Sequence, residues 1–214
     1  MSTDWLNVIL EVAPRAKADI ARGLADAMPE IISKWGIDTL LDQAHFIAQT
    51  AHESDGYRTT VEYASGDAYD TRTDLGFSKA KDGDGRKFKG FGLIQETGPN
   101  NQRDVATALG ILAEWLKNPR VLAAFPWAAL SAGHYWHSRK ISILANRDDV
   151  EAVTRKVNGG LNGLGDRKTY LARAKKALGI RAEPHEVGPE PLSRAKVRGS
   201  CAPTSPMRWR IPPR

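Results

Sequence analysis

The chain has 214 residues, enough for one domain with a proper core. Its 31 Lys and Arg against 25 Asp and Glu leave a formal charge of +6, and 41% hydrophobic with 26% charged residues reads as globular rather than disordered. One cysteine, Cys201, excludes an intramolecular disulfide framework, and no apolar run approaches the roughly 18–20 residues of a membrane span.

The N-terminus lacks a basic flank, and Asn7 and Glu11 interrupt the apolar stretch behind it, so no signal peptide is expected. Ile20, Leu24 and Met28 keep a four-residue spacing that Ile31 and Ile32 continue, which predicts a helix. Pro29 falls inside it, so a kink or a restart is expected there. Asp38 is the expected N-cap of a helix bearing Leu40, Leu41, Ala44, Ile47, Ala48 and Ala51, and Ser54-Asp55-Gly56 stops it. Residues 65–92, rich in Gly, Asp and Lys, read as loop with a short hairpin. Helices are expected at about Val105–Lys117, Trp127–Lys140, Asp149–Val157 and Arg167–Leu178. The class is mainly α with a small β-rich insertion.

From Arg181 onward the composition changes. Seven basic residues meet three Glu there, so the tail carries +4 and leaves +2 for the first 180 residues. Seven of the twelve prolines also lie there, which predicts an unpacked extension over 181–214. An anchor for an anionic outer-membrane surface is one reading, with Trp209 as an interfacial contact; a solvated tail is the reading preferred. Nucleic acid is not expected as a partner, because the body of the chain is nearly balanced and no reader motif occurs.

Two carboxylates draw attention. Glu53 ends the predicted second helix, where the negative end of the helix dipole and partial burial both favour a protonated acid. Glu62 follows nine residues later, beyond the helix stop at Gly56. Such a pair can serve as acid and base across a cleft, and an inverting glycosidase needs its two carboxyls roughly 6.5–9.5 Å apart. Spacing alone is weak evidence, because most such pairs are surface charges. His45 and His52 are two helical turns apart and are each expected to bond a backbone carbonyl. Asp82-Gly83-Asp84-Gly85 lacks the closing Glu of a calcium loop and reads as a flexible turn. No metal site and no cofactor is expected.

Three segments, in order, carry a resemblance. Phe46-Ile47-Ala48-Gln49-Thr50-Ala51-His52-Glu53-Ser54 resembles the acid-bearing helix of glycoside hydrolase family 19, which contains chitinases and phage endolysins. Lys89-Gly90-Phe91-Gly92-Leu93-Ile94-Gln95-Glu96-Thr97-Gly98 resembles its central Gly-Arg-Gly-Leu-Ile-Gln segment, and Val157-Asn158-Gly159-Gly160-Leu161-Asn162-Gly163 with Asp166-Arg167 resembles its third block. The last form and Asp74-Leu75-Gly76 are similar to the endolysin branch. The resemblance implies a lysozyme-like, two-lobed helical catalytic domain over 1–180, with a loop or hairpin insertion at its cleft. It implies Glu53 as general acid, Glu62 as base and Thr97 as a group orienting water or sugar. It further implies His52, Gln95 and Asn158 as sugar-binding, with Arg167 a charge partner of the carboxylates.

The substrate so implied is the β-1,4-linked amino-sugar polymer of peptidoglycan, cut by a monomer made in a host bacterial cytoplasm and released to the wall through a holin. A family chitinase, a lytic transglycosylase that would not need Glu62, and a non-enzymatic wall- or lipopolysaccharide-binding protein on a decayed scaffold are the alternatives. Three positions depart from the family pattern. Phe91 replaces an Arg, Glu96 a Leu or Ile, and Gln102 a Tyr. If 91–97 is extended, Phe91, Leu93, Gln95 and Thr97 share the site face, with Phe91's ring beside the sugar and Glu96 turned away.

Overall fold

The computed structural model describes residues 3–181 and begins with a helix missing from the expectations above, α1 (Trp5–Val12). Asp4 caps it, accepting from the Asn7 amide at 3.1 Å. α2 (Ala18–Trp35) runs as one element through Pro29, without the expected restart. Pro29 lies on the exposed face, where water can satisfy the carbonyl it frees. On the opposite face Ile20, Leu24, Met28 and Ile31 are buried, each contributing about 1.5–3 kcal/mol.

α3 (Leu40–Glu53) is the centre of the fold. Its N-cap is Thr39 rather than Asp38: the Thr39 hydroxyl accepts from the Asp42 amide at 3.0 Å. The expected stripe facing a core is a helix buried on every side from Asp42 to Ala51. Its polar groups are therefore paired inside the protein. Asp42 accepts from the Trp136 indole at 2.8 Å, and Thr50 shares a 2.9 Å hydrogen bond with the Tyr57 hydroxyl. The His45 ring meets the Asp148 carboxylate at 2.9 Å, where a backbone carbonyl had been expected. α3 ends at Glu53, and Asp55, Gly56 and Tyr57 all take positive φ to turn the chain sharply away.

The expected helix over Val105–Lys117 is two helices, α5 (Pro99–Ala108) and α6 (Leu112–Lys117), after a four-residue α4 (Asp84–Lys87). Gly110 at φ 74 breaks the run. α7 (Trp127–Ser138), a short α8 (Ser142–Ala145), α9 (Val150–Asn158) and α10 (Leu164–Ala177) complete the set. α10 packs along α3, α1 packs on α10 and α2, and α2 packs on α7. The class is mainly helical, as expected.

The insertion over 65–92 holds no hairpin. Two 3-10 turns, Asp67–Tyr69 and Thr73–Leu75, precede α4, and the Asp82–Gly85 turn is tied down by Asp70, which accepts from the Gly85 amide at 2.6 Å. β structure among the described residues is reduced to bridges joining Val61 to Phe91 and Phe91 to Glu96. The basic proline-rich tail beyond Arg181, with Cys201 and Trp209, lies outside the described residues.

Candidate active site

Glu53 is the last residue of α3, so its side chain leaves the buried helix at the surface and stays half-buried. Its Oε1 accepts from Arg167 Nη2 at 2.5 Å. Arg167, from α10, is 1% exposed. Its other nitrogens donate to the Gln49 side chain and, at 3.3 Å, to the Asn162 carbonyl. A buried guanidinium thus stands on the helix-end carboxylate, a partner that the dipole argument did not include. Gln49 lies one helical turn before Glu53, and that i to i+4 spacing was the available signal for it.

The glycine-rich block joins α9 to α10 beside this pair. Asn158 closes α9 and its Nδ2 donates to the Asn162 carbonyl at 3.2 Å, leaving the residue otherwise exposed. Gly163, at φ 71, turns the chain into α10. A Cβ there would lie 2.1 Å from His52 Cε1, so the backbone is the wall on which the His52 ring rests. Among the described residues His52 bonds no backbone carbonyl; its Nδ1 is 3.8 Å from Asp166. Burial, then the Arg167 cation, hold its pKa below the ordinary value, so the ring is neutral near pH 7.

Glu62 belongs to a second group. Residues 60–62 run antiparallel to 90–92, with Glu62 N–H donating to the Gly90 carbonyl and Gly92 N–H to that of Thr60, both at 2.9 Å. The Glu62 carboxylate accepts from the Gly90 amide at 2.9 Å and from the Tyr69 hydroxyl at 2.8 Å. Tyr69 gave no signal in the sequence; the 3-10 turn and a stack on Phe77 aim its hydroxyl. A Cβ on Gly90 would fall 2.8 Å from Gln95 Oε1 and 3.3 Å from Glu62 Cβ, so only glycine leaves room for both side chains here.

Residues 91–96 fold back instead of extending, because Phe91 pairs with Glu96 and both Gly92 and Gln95 take positive φ. The shared face expected for Phe91, Leu93, Gln95 and Thr97 is therefore split. Phe91 and Leu93 are buried in the core, so no Phe91 ring lines the site, whereas Gln95 and Thr97 stay half-exposed. Gln95 Nε2 donates to the Gly92 carbonyl at 2.9 Å, and its buried Oε1 has no hydrogen-bond partner among the described residues. Thr97 donates to the Gln95 carbonyl at 3.0 Å. Between them Glu96 is buried, 4% exposed. Gln102 is fully buried and pins the segment, donating to the carbonyls of Lys89 and Glu96 at 2.8 and 2.9 Å.

The site residues thus form two clusters, one of His52, Glu53, Asn158 and Arg167 and one of Glu62, Gln95 and Thr97. No hydrogen bond among the described residues joins Glu53 to Glu62.

No protein-family model matches the chain. A curated protein of Haemophilus influenzae, described as glycosyl hydrolase family 19 domain-containing, is 30% identical over 181 residues, covering 71% of this chain and 88% of its own length. Among solved structures, chitinase C from Streptomyces griseus matches with a TM-score of 0.63 at 21% identity, over 83% of this chain and 95% of that one. The class IV chitinase from Zea mays matches with a TM-score of 0.61 at 19% identity, over 86% and 95%. The structural likenesses show a shared fold, and with the identity and coverage of the curated relative the chain belongs to glycoside hydrolase family 19 and is a glycoside hydrolase.

Proposed function

We propose that this hydrolase is an endolysin that cuts β-1,4 bonds between the amino sugars of peptidoglycan, with inversion. Glu53 protonates the leaving glycosidic oxygen while Glu62 takes a proton from water, and that water attacks the anomeric carbon from the opposite face. The carrying observation is that each carboxylate has its own set of donors and neither touches the other, Glu53 on Arg167 and Glu62 on Tyr69 and Gly90. Thr97 and Gln95, half-exposed on the Glu62 side, suit the water and an N-acetyl group, and His52 and Asn158 suit the sugar on the Glu53 side.

The endolysin-like form of residues 158–163 and the formal charge of +6, suited to an anionic wall, favour peptidoglycan. The solved neighbours favour a second reading, in which the same pair cuts chitin. Action on a host wall after holin-dependent release belongs to the first reading.

Turbidity loss of outer-membrane-permeabilised Gram-negative cells tests it, with reducing ends counted on purified walls and on chitin oligomers. Glu53→Gln and Glu62→Gln should each lower wall hydrolysis by about 10²–10⁴-fold. Wild-type rates from Glu53→Gln would overturn the assignment of the acid, and anhydro product ends would replace the inverting mechanism by a transglycosylase one. Cleavage of chitin alone would move the substrate to the second reading.

A further inference from the structure

Glu96 is a buried carboxyl that the proposed mechanism does not use. It lines a hollow of about 320 Å³ together with Asn101, Asp104, His134, Ser138 and Arg139, between α5 and α7. Neither Glu53 nor Glu62 is in that lining.

Its charged residues line a common space without an ion pair among them. Among the described residues, no hydrogen bond reaches the Glu96 carboxyl, no carboxylate lies within ion-pair distance of Arg139, and His134 Nδ1 is buried without a partner. Arg139 is held with its guanidinium 3.6 Å over the Tyr135 ring, which covers one face. Glu96 is fixed by its backbone pairing with Phe91 and by Gln102 on its carbonyl. The walls thus set an acid side, Asp104 and a Glu96 carboxyl that ionises at about pH 7, apart from the Arg139 guanidinium.

The charge pattern selects the guest. A simple cation is opposed by Arg139 and a simple anion by Asp104 and, once ionised, by Glu96. No group of three His, Cys, Asp or Glu side chains among the described residues has the arrangement to hold a metal ion. A molecule carrying both charges satisfies both walls. We infer that this hollow binds a zwitterionic amino-acid end, with its ammonium on Glu96 and Asp104 and its carboxylate on Arg139, and so takes the peptide branch of the glycan.

The hollow is also joined to both clusters of the site. Glu96 lies between Gln95 and Thr97, and Asn101 donates to the Thr97 carbonyl at 2.9 Å. Tyr135, under Arg139, donates to the carbonyl of Val157, the neighbour of Asn158, at 2.9 Å. The inference rests on the peptidoglycan reading and deepens it, because chitin carries no peptide.

The test compares kcat/KM on peptide-bearing wall glycan with that on the same glycan stripped of peptide by an amidase. Wild type should prefer the peptide-bearing strand by about tenfold or more, the worth of one charge-assisted contact. In Glu96→Leu and in Arg139→Gln that ratio should fall toward one. An equal rate on both strands in wild type, or a ratio unchanged in both variants, overturns the inference while leaving the peptidoglycan reading intact. If wild type cuts neither strand, the peptidoglycan reading is what fails. Titration of the full chain with meso-diaminopimelic acid, followed by NMR, then decides the hollow by itself. Shifts at Glu96 and His134 that vanish in Arg139→Gln support it, and their absence in wild type overturns it.

Discussion

Arg167 Nη2 donates to Glu53 Oε1 at 2.5 Å, joining a guanidinium that is 1% exposed to a carboxylate at the end of the central helix. The same guanidinium also holds Gln49 and the Asn162 carbonyl, so one side chain ties α3, α10 and the glycine-rich turn together. Arg167→Ala should lower stability by about 3–5 kcal/mol, since it strands Glu53 and the buried Gln49 oxygen. Arg167→Lys keeps the charge but loses the fork, so it should recover part of that stability while hydrolysis stays well below wild type. Denaturant unfolding and reducing-end assays on the same proteins check both.

Tyr69 reports on Glu62. Burial, and then the Glu62 carboxylate, push the Tyr69 phenol up to about 12, so it remains a donor throughout the neutral range. Tyr69→Phe removes that donor and little else. Hydrolysis should fall about tenfold, with a change in stability of no more than about 1.5 kcal/mol. An unchanged rate would show that this hydrogen bond has no part in setting the base.

Glu96 makes stability depend on pH. Burial raises its pKa from 4.5 to about 7, so the folded protein holds a proton that the unfolded chain has released. That contribution is complete below about pH 4.5 and fades as pH rises through about 7. Its full size is on the order of 3 kcal/mol. Glu96→Gln removes the titration, so stability relative to wild type should climb between about pH 4.5 and 7. His45, pushed down by burial, has the opposite slope but is common to both proteins and cancels in the difference.

Gly163 and Gly159 separate strain from contact. Both have positive φ, 71 and 75, but only a Cβ at Gly163 strikes the His52 ring, at 2.1 Å, whereas one at Gly159 meets nothing within 4 Å. Gly159→Ala should cost about 1 kcal/mol of backbone strain. Gly163→Ala should cost more and also lower hydrolysis by displacing His52. Thermal melts and wall assays of the two variants make the comparison.

Much of the helical frame was legible from local pattern. The helix over 40–53, its stop at Ser54–Gly56 and the helix at about Asp149–Val157 follow from apolar spacing and turn residues, which act over a few residues, although the cap of the first is Thr39 and not Asp38. Other features were not legible because their causes are distant. Pro29 does not break α2, since burial on the opposite face holds the helix across it. Phe91 is in the core because residues 91–96 fold back, and an alternating pattern cannot tell a strand from a tight return.

By itself, the sequence determined a near-balanced, mainly helical body and a cationic, proline-rich composition from residue 181 onward, and it placed the candidate carboxylates on a helix end and a following loop. Charge counts, periodicity and turn residues are local properties, so they could be read along the chain. Only the tertiary structure decided which groups stand on those carboxylates. Arg167 reaches Glu53 across 114 positions of sequence, and the Gly90 amide reaches Glu62 across 28. It likewise decided that Glu96 and Arg139, from separate helical neighbourhoods, share one hollow. Such partnerships depend on packing between elements, and no local propensity encodes them.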